Sequence, residues 1–160
     1  MKKIKVLEIE PVSDLGGVSQ FISRLVEYLP KDDFEMHFGA SGNGEIIGIL
    51  EKKGVICHTV DINYSALHLF SAARSLRKLL VEEHIDIMHA HTAKAGIVAA
   101  FATRRIPITF VFSGHGWLFL TIPNPFERFF FYLLERYVVR RAKSVTYLSH
   151  IESEQGNRMI

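Results

Sequence analysis

The sequence predicts a single α/β domain built on a doubly wound parallel sheet. Short apolar runs of strand length alternate with segments of helical periodicity along the whole chain. Strands that alternate with helices are joined by crossover connections, which give a parallel sheet covered by helices on both faces. The 160 residues fit one domain of ordinary size, and no internal repeat or linker divides them. Residues 1–160 are therefore treated as one domain.

The order of the elements follows from the apolar pattern. Six segments have the length and apolar content of strands: 4–9, 34–40, 55–62, 85–91, 108–114 and 144–149. Five segments have helical spacing: 17–29, 44–54, 66–83, 93–105 and 125–142. The expected strand order is 3-2-1-4-5-6, with the ligand site beyond the carboxyl ends of strands one and four. We therefore expect three loops to form the site: 10–17, 91–95 and 113–124.

The helices differ in the face that they offer to the sheet. The segment 17–29 carries one apolar stripe and ends at Pro30. Small residues dominate 93–105, so this helix can pack close to the sheet. In the segment 125–142 we expect seven apolar residues to face the sheet: Phe126, Phe129, Phe130, Leu133, Leu134, Tyr137 and Val138.

The outer face of the last helix has two interpretations. Phe131, Tyr132 and Val139 fall outside the expected apolar face, among four arginines. An aromatic and cationic face can lie against an anionic membrane surface or a partner. The alternative is an ordinary docked helix with solvated arginines.

Composition excludes several classes of protein. The net charge of +2 gives no argument for binding nucleic acid. A single cysteine, Cys57, excludes an internal disulfide and is expected to be a buried structural thiol. We find no signal peptide and no apolar run of the roughly 20 residues that cross a bilayer. These features predict a cytoplasmic protein.

Two adjacent glycines follow the first strand. Gly16 and Gly17 open a helix whose first amides have no internal partner, and such an end binds anions. One interpretation is therefore contact with a diphosphate. The other is a tight turn with a helix cap at Ser13 or Asp14. The stretch is neither a GxGxxG fingerprint nor a P-loop, which disfavours a nicotinamide enzyme and an ATPase.

The stretch HAHTAKAG, 89–96, ends the fourth strand. His89 and His91 share one strand face, but no third metal ligand can be nominated, so no metal site is predicted. His91 lies at the carboxyl end, where contact with substrate is expected, whereas the deeper His89 fits a hydrogen-bonded core residue. Lys94 opens the next helix near the same cleft, either as a ligand contact or as a solvated lysine.

The stretch SGHGW, 113–117, follows the fifth strand. Packing poorly explains a histidine between Gly114 and Gly116, so His115 is expected at the ligand edge. Its imidazole could hydrogen-bond a sugar hydroxyl or a leaving phosphate. Trp117 could stack on a sugar or an apolar tail, or lie in the core.

Four segments in this order and spacing resemble a known family. They are LGGVSQFISRLVEYL, IDIMHAHTAKAGIVAA, FSGHGW and AKSVTYLS, spread over about residues 4–150. The chain resembles the amino-terminal domain of GT-B glycosyltransferases of the large retaining family called group 1 or GT4. The HGW variant looks like the bacterial members that build capsular, exopolysaccharide or lipid-linked glycans.

The resemblance implies a fold, an activity and a site. The fold would be a Rossmann-like half of a GT-B architecture, and the activity would be transfer of a sugar from a nucleotide-diphosphate donor to a glycan or lipid-linked acceptor. The family's glycine loop, here Gly16 and Gly17, approaches the donor diphosphate. Its catalytic-site histidine corresponds to His115. The amino-terminal half shapes the acceptor site, for which His91, Lys94, Gly114 and Trp117 are the candidates. No metal or other cofactor is required.

The resemblance does not extend to the second domain of this family. The family's carboxy-terminal domain, which binds most of the nucleotide, has no counterpart in these residues. We therefore expect this chain alone to be inactive and to act with the missing domain or a partner subunit, in part at the inner membrane face. The alternative is a non-catalytic scaffold subunit that recruits a catalytic partner at the membrane.

Overall fold

The computed structural model describes residues 2–62 and 68–159 and contains the expected six-stranded sheet. Every neighbouring pair of strands is parallel, and the order is β3-β2-β1-β4-β5-β6. The strands are β1 (Ile4–Val12), β2 (Phe34–Ser41), β3 (Ile56–Thr59), β4 (Ile87–His91), β5 (Thr109–Ser113) and β6 (Ser144–Thr146). The predicted fold class and strand order are confirmed.

Among the described residues, five α-helices lie between these strands and a sixth follows β6. They are α1 (Gly17–Tyr28), α2 (Glu45–Lys52), α3 (Leu69–Glu82), α4 (Thr92–Ala102), α5 (Pro125–Arg141) and α6 (His150–Asn157). A short 3-10 helix, Leu118–Thr121, precedes α5 and was not expected. The first two residues of the predicted third helix, 66 and 67, lie outside the described residues. The third and sixth strands are shorter than predicted.

The sheet separates two apolar layers. On one face, Leu7 and Ile9 of β1 pack with residues of α3, α4 and α5. On the other face, Val6 of β1 packs with Ile22 and Leu50 of α1 and α2. Alternate residues of β1 thus point into opposite layers, as the period of two requires. The half-buried thiol of Cys57 on β3 fits the expected structural role, because burial raises its pKa to about 11.

The face of α5 that meets the rest of the molecule differs from the prediction. Val138 and Val139 are buried together with Glu135, whereas Phe126, Phe129 and Phe130 are exposed. The carboxylate of Glu135 accepts hydrogen bonds from the amides of Leu118 and Phe119. These bonds hold the 3-10 helix against α5, with α5 in an orientation that differs from the expected one. No helix among the described residues is long and apolar enough to cross a membrane.

Two buried glutamates lie in surroundings that favour their neutral form. Glu10, on β1, is 3% exposed, and its Oε1 has no hydrogen-bond partner among the described residues. Burial raises the pKa of Glu10 to about 7. Burial also raises the pKa of Glu135 to about 7, although the two amides that Glu135 accepts act in the opposite direction.

Gly96 provides a test of how closely α4 packs on the sheet. A Cβ at Gly96 would lie 2.6 Å from Phe112 Cε2 and 3.1 Å from Val138 Cγ1. We expect Gly96→Ala to lower the free energy of unfolding by about 1–3 kcal/mol, because overpacking outweighs the gain in helix propensity. The matched control is Gly48→Ala on α2, where a Cβ meets no atom within 4 Å. This control should raise stability by about 0.5–1 kcal/mol in urea denaturation. Equal effects at both glycines would contradict the close packing.

Glu10 should make stability depend on pH. Between its ordinary value of 4.5 and its folded value of about 7, the folded state keeps a proton that the unfolded state has lost. Stability therefore falls as the pH rises through this window, by up to about 3 kcal/mol in all. We expect Glu10→Leu to be more stabilising at about pH 8 than at about pH 5 in urea denaturation. The exposed Glu51→Gln serves as control, and a Glu10→Leu effect that is independent of pH would contradict the assignment.

Candidate functional site

Three loops meet at the carboxyl edge of the sheet. Because β4 pairs with both β1 and β5, the ends of these three strands lie side by side. His91 ends β4, and its Nδ1 lies 3.0 Å from Nε2 of His115 in the loop after β5. The ring of Phe21 on α1 contacts both imidazoles, with centroids 5.7 and 5.9 Å away. The expected convergence of the loops is present.

A buried carboxylate lies beneath this edge. Glu8 on β1 is in register with His89 on β4 and is only 1% exposed. Its Oε2 lies 2.9 Å from Nδ1 of His89 and 2.6 Å from Nε2 of His91. Burial alone would raise the pKa of Glu8, but the hydrogen bonds from the two imidazoles outweigh burial and lower this pKa to about 2. Glu8 is therefore an ion that links β1 to β4.

His115 occupies a constrained turn. Its φ of 51° lies in the left-handed region, and the φ of 103° at Gly116 favours glycine there. The imidazole is half-buried, and burial together with the neighbouring His91 lowers its pKa to about 4. His115 is thus neutral near physiological pH, at a position that borders open space.

Two cavities border His115. The larger, about 520 Å³, lies between Phe21 on α1 and residues 146–148, with His89 and Ser113 on its floor. The smaller, about 370 Å³, lies between the start of α4 and the loop 114–121. Lys94 and Gly114 line the smaller cavity, as expected for residues near a ligand. Both cavities can be reached from one imidazole.

The glycine turn lies open at the same edge. Gly16 has φ −149° and ψ −175°, an extended conformation that any residue adopts, and neither glycine has a positive φ. A Cβ at Gly16 or Gly17 would meet no atom within 4 Å, and both residues are exposed. Neither backbone strain nor crowding therefore requires glycine at these two positions.

The expected cap at Ser13 or Asp14 is wrong. Helix α1 begins after Gly16, whose own amide donates to Ser19 Oγ at 2.7 Å. Ser13 instead accepts the amide of Gly44 at 2.7 Å and donates to the carbonyl of Ser41 at 2.9 Å. Ser13 thus joins the first loop to the second, and the free amides at the start of α1 begin at Gly17.

Two of the predicted ligand contacts are buried. His91 has no exposed surface, and both of its ring nitrogens meet protein partners. Trp117 is 4% exposed and donates its indole N–H to the carbonyl of Glu152. His91 therefore offers a ligand no open face, whereas Trp117, although nearly buried, borders the smaller cavity. His89, which the sequence placed deeper, is the more exposed of the two strand histidines.

Strain also marks the residue after His91. Thr92 has a φ of 72°, which is rare for a β-branched residue. Its hydroxyl is buried without a hydrogen-bond partner among the described residues. Thr92 lines the smaller cavity beside Lys94, so strain and an unpaired hydroxyl lie next to His115.

Sequence reasoning missed Glu8 as part of the site. The signal was a charged residue at every second position of an otherwise buried strand, in VLEIE at 6–10. Ser113 was also missed, although its hydroxyl lies 2.8 Å from Nε2 of His89 and hydrogen-bonds Thr146 of β6. These polar groups extend the network from β1 to β6.

Glu8 corrects the statement that no third metal ligand can be nominated. One ligand atom each of Glu8, His89 and His91 lies within 4.8 Å of the other two, as do atoms of a second group, His37, His58 and Glu83. In the first group, each imidazole nitrogen is within direct hydrogen-bond distance of the carboxylate. Hydrogen bonds account for this group without a cation.

Comparisons of the sequence with known proteins identify the family of this chain. The Glycosyltransferase Family 4 profile covers residues 15–158. The UDP-Gal:alpha-D-GlcNAc-diphosphoundecaprenol alpha-1,3-galactosyltransferase of Escherichia coli is 28% identical over 120 residues, which are 73% of this chain and 31% of that protein. The chain therefore spans less than a third of that relative.

Solved structures share the fold. Anabaena HepE in complex with UDP and glucose superposes with a TM-score of 0.72 at 18% identity, over 98% of this chain and 41% of HepE. A glycosyltransferase from Rickettsia africae gives a TM-score of 0.72 at 18% identity, over 97% of this chain and 39% of that protein. With its Rossmann-like sheet and its match from residue 15 to residue 158, the chain belongs to glycosyltransferase family 4 and has the fold of an amino-terminal GT-B domain.

Proposed function

We propose that this chain is the acceptor-side half of a retaining glycosyltransferase that moves a sugar from a nucleotide-diphosphate donor to a lipid-linked or glycan acceptor. The Escherichia coli relative, by its name, uses UDP-Gal and a diphosphoundecaprenol-linked acceptor. Because this chain spans 31% of that relative, the remaining part of such an enzyme would supply most of the donor site. The 160 residues alone would then be inactive.

The open glycine turn is the observation that carries this proposal. Gly16 and Gly17 need no left-handed conformation, and a Cβ added to either would meet no atom within 4 Å, so the turn does not need glycine for the fold. A diphosphate that approaches the backbone does need the absence of a side chain. The amide of Gly17 opens α1, where unpaired N–H groups and the helix dipole favour negative charge. This interpretation replaces that of a tight, capped turn.

His115 and the two cavities would form the acceptor side. A neutral imidazole between them can hydrogen-bond a sugar hydroxyl, and Lys94 and Gly114 border the same space. His91 and Trp117 would support the site from beneath instead of contacting the substrate. The reaction as proposed uses electrostatic stabilisation of the departing diphosphate by amides, with no metal ion.

A membrane location fits this acceptor. The exposed apolar side chains at the start of α5 form a patch, which we name the α5 patch: Leu120, Phe126, Phe129, Phe130 and Leu133. Helix α5 carries four arginines and only two glutamates, and one of these, Glu135, is buried. Exposed aromatic rings beside arginines suit the surface of an anionic bilayer. The enzyme would then be a cytoplasmic protein bound peripherally to the membrane that holds its lipid-linked acceptor.

Gly17→Val tests the glycine turn. In the full-length protein we expect this change to raise the KM for a UDP-sugar by at least about tenfold, or ~1.4 kcal/mol, because the added side chain occupies the space of the diphosphate. The melting temperature should stay unchanged, since nothing lies within 4 Å of the new Cβ.

The matched control for Gly17→Val is Gly48→Val, which adds the same side chain at an open helical position away from the site. Its KM should equal that of the unchanged protein. Unchanged donor kinetics in Gly17→Val, or an equal loss in Gly48→Val, would contradict the proposed diphosphate contact.

Replacing Phe126, Phe129 and Phe130 together by serine tests the α5 patch. We expect binding to vesicles that contain an anionic phospholipid to fall at least about tenfold, because each buried phenylalanine contributes about 1.5–3 kcal/mol. Vesicle sedimentation measures this change. The control is Phe70→Ser on α3, where the ring is 71% exposed outside the patch. Equal vesicle binding by the triple variant and this control would remove the membrane role.

A further inference from the structure

The buried carboxylate of Glu8 determines where the ring protons of its neighbours lie. An ionised carboxylate only accepts hydrogen bonds. Oε2 of Glu8 lies 2.6 Å from Nε2 of His91 and 2.9 Å from Nδ1 of His89. Both of these nitrogens must therefore carry a proton.

The position of the ring proton on His91 determines its position on His115. A neutral imidazole has one proton, and His91 uses it at Nε2, so Nδ1 of His91 is a bare acceptor. Nε2 of His115 lies 3.0 Å from this bare nitrogen and must donate to it. His115 then carries its proton at Nε2 and keeps Nδ1 bare. Nδ1 of His115 has no hydrogen-bond partner among the described residues, and the ring borders both cavities.

The branch through His89 agrees with this assignment. With its proton at Nδ1, His89 accepts at Nε2 from the hydroxyl of Ser113, 2.8 Å away. The Ser113 hydroxyl oxygen can in turn accept from the hydroxyl of Thr146, with which it is hydrogen-bonded. Every donor in the network then has an acceptor, which is the arrangement expected of buried polar groups.

We infer that Glu8 is a positioning residue that acts through His91 to hold His115 in the Nε2-protonated form, so that the site presents a bare acceptor nitrogen to its ligand. Such a nitrogen accepts a hydrogen bond from a hydroxyl and repels a phosphate oxygen, which has no proton to give. Of the two ligands considered for His115, the geometry selects the hydroxyl. The identity of that hydroxyl, on the donor sugar or on the acceptor, rests on the proposed function.

The charge states of His91 and His115 support the assigned proton positions. Burial, offset in part by Glu8, lowers the pKa of His91. Burial and the neighbouring His91 lower the pKa of His115 to about 4. Both imidazoles are therefore neutral near physiological pH, and a second proton on His91, at Nδ1, would face Nε2 of His115, which already carries one. The titratable groups that face His115 are His89, His91 and Glu152.

A bound cation would give the opposite arrangement. A metal ion held by Glu8, His89 and His91 would need Nε2 of His91 to be bare. His91 would then donate from Nδ1 to His115, and His115 would carry its own proton at Nδ1. The two possibilities therefore differ in an observable, the protonated nitrogen of His115.

The direct test is NMR of the protein with ¹⁵N-labelled imidazole rings. Long-range ¹H–¹⁵N correlations distinguish protonated from bare ring nitrogens in each of the eight histidines. We expect a proton at Nδ1 of His89 and at Nε2 of both His91 and His115. A proton at Nδ1 of His115, or shifts of the His89 and His91 nitrogens on addition of stoichiometric Zn²⁺, would overturn the inference.

Variants of two glutamates on β1 test the role of Glu8. Glu8→Leu removes the acceptor, so we expect His115 to lose its single form and show both tautomers. Glu8→Gln keeps a carbonyl oxygen and should restore the Nε2-protonated form in part. The matched control is Glu10→Leu, because Glu10 is similarly buried and forms no hydrogen bond with a histidine among the described residues. The His37–His58 pair, at 2.9 Å, serves as internal reference. An unchanged His115 in Glu8→Leu would contradict the inference.

Kinetics of the full-length protein separate this inference from the proposed function. Glu8→Leu should lower kcat for sugar transfer at least about tenfold, with little change in the KM for the donor, and His115→Ala should lower turnover by more than about tenfold as well. If the unchanged protein transfers no sugar while the tautomers are as expected, the proposed function fails and the role of Glu8 stands. If sugar is transferred but His115 is protonated at Nδ1, the role of Glu8 fails alone.

Discussion

The site depends on the parallel pairing of β1 with β4 at the centre of the sheet. This pairing places Glu8 beside His89 in register, brings His91 to the carboxyl edge and sets the end of β1 next to the loop that carries His115. It is also the point at which the strand order reverses, so the helices after β1 and β4 leave the sheet on opposite faces. The gap between them is the proposed ligand edge, and the network of Glu8 lies at its base.

A buried ion at this point is stabilised by hydrogen bonds. Oε2 of Glu8 accepts one from each of two imidazoles, and a hydrogen bond to a charged group typically contributes about 1.5–3 kcal/mol. Glu10, two residues further along the same strand, has no such partners and is held neutral instead. The same residue type thus has opposite charge states on one strand, since hydrogen bonding favours the ion at Glu8 and burial disfavours it at Glu10.

The sequence predicted the fold better than the site, and the reason is physical. Apolar periodicity locates the strands and helices, and the doubly wound arrangement of such elements gives the strand order; the structure confirms both. The orientation of α5 could not be predicted, because both of its faces are apolar and the burial of Glu135 depends on its hydrogen bonds with two backbone amides of the 3-10 helix. The sequence shows Glu8 as a charge in a buried strand but not its partners, which are 81 and 83 residues away and are brought to it only by the pairing of β1 with β4.

The central claim is that the glycine turn and His115 contact the donor and a hydroxyl at one edge of the sheet. A crystal structure of the full-length protein with a bound UDP-sugar tests it most directly. We expect a diphosphate oxygen to accept a hydrogen bond from the amide of Gly17, and a ligand hydroxyl to lie within hydrogen-bond distance of Nδ1 of His115. A diphosphate bound away from the start of α1, or a phosphate oxygen at Nδ1 of His115, would contradict it.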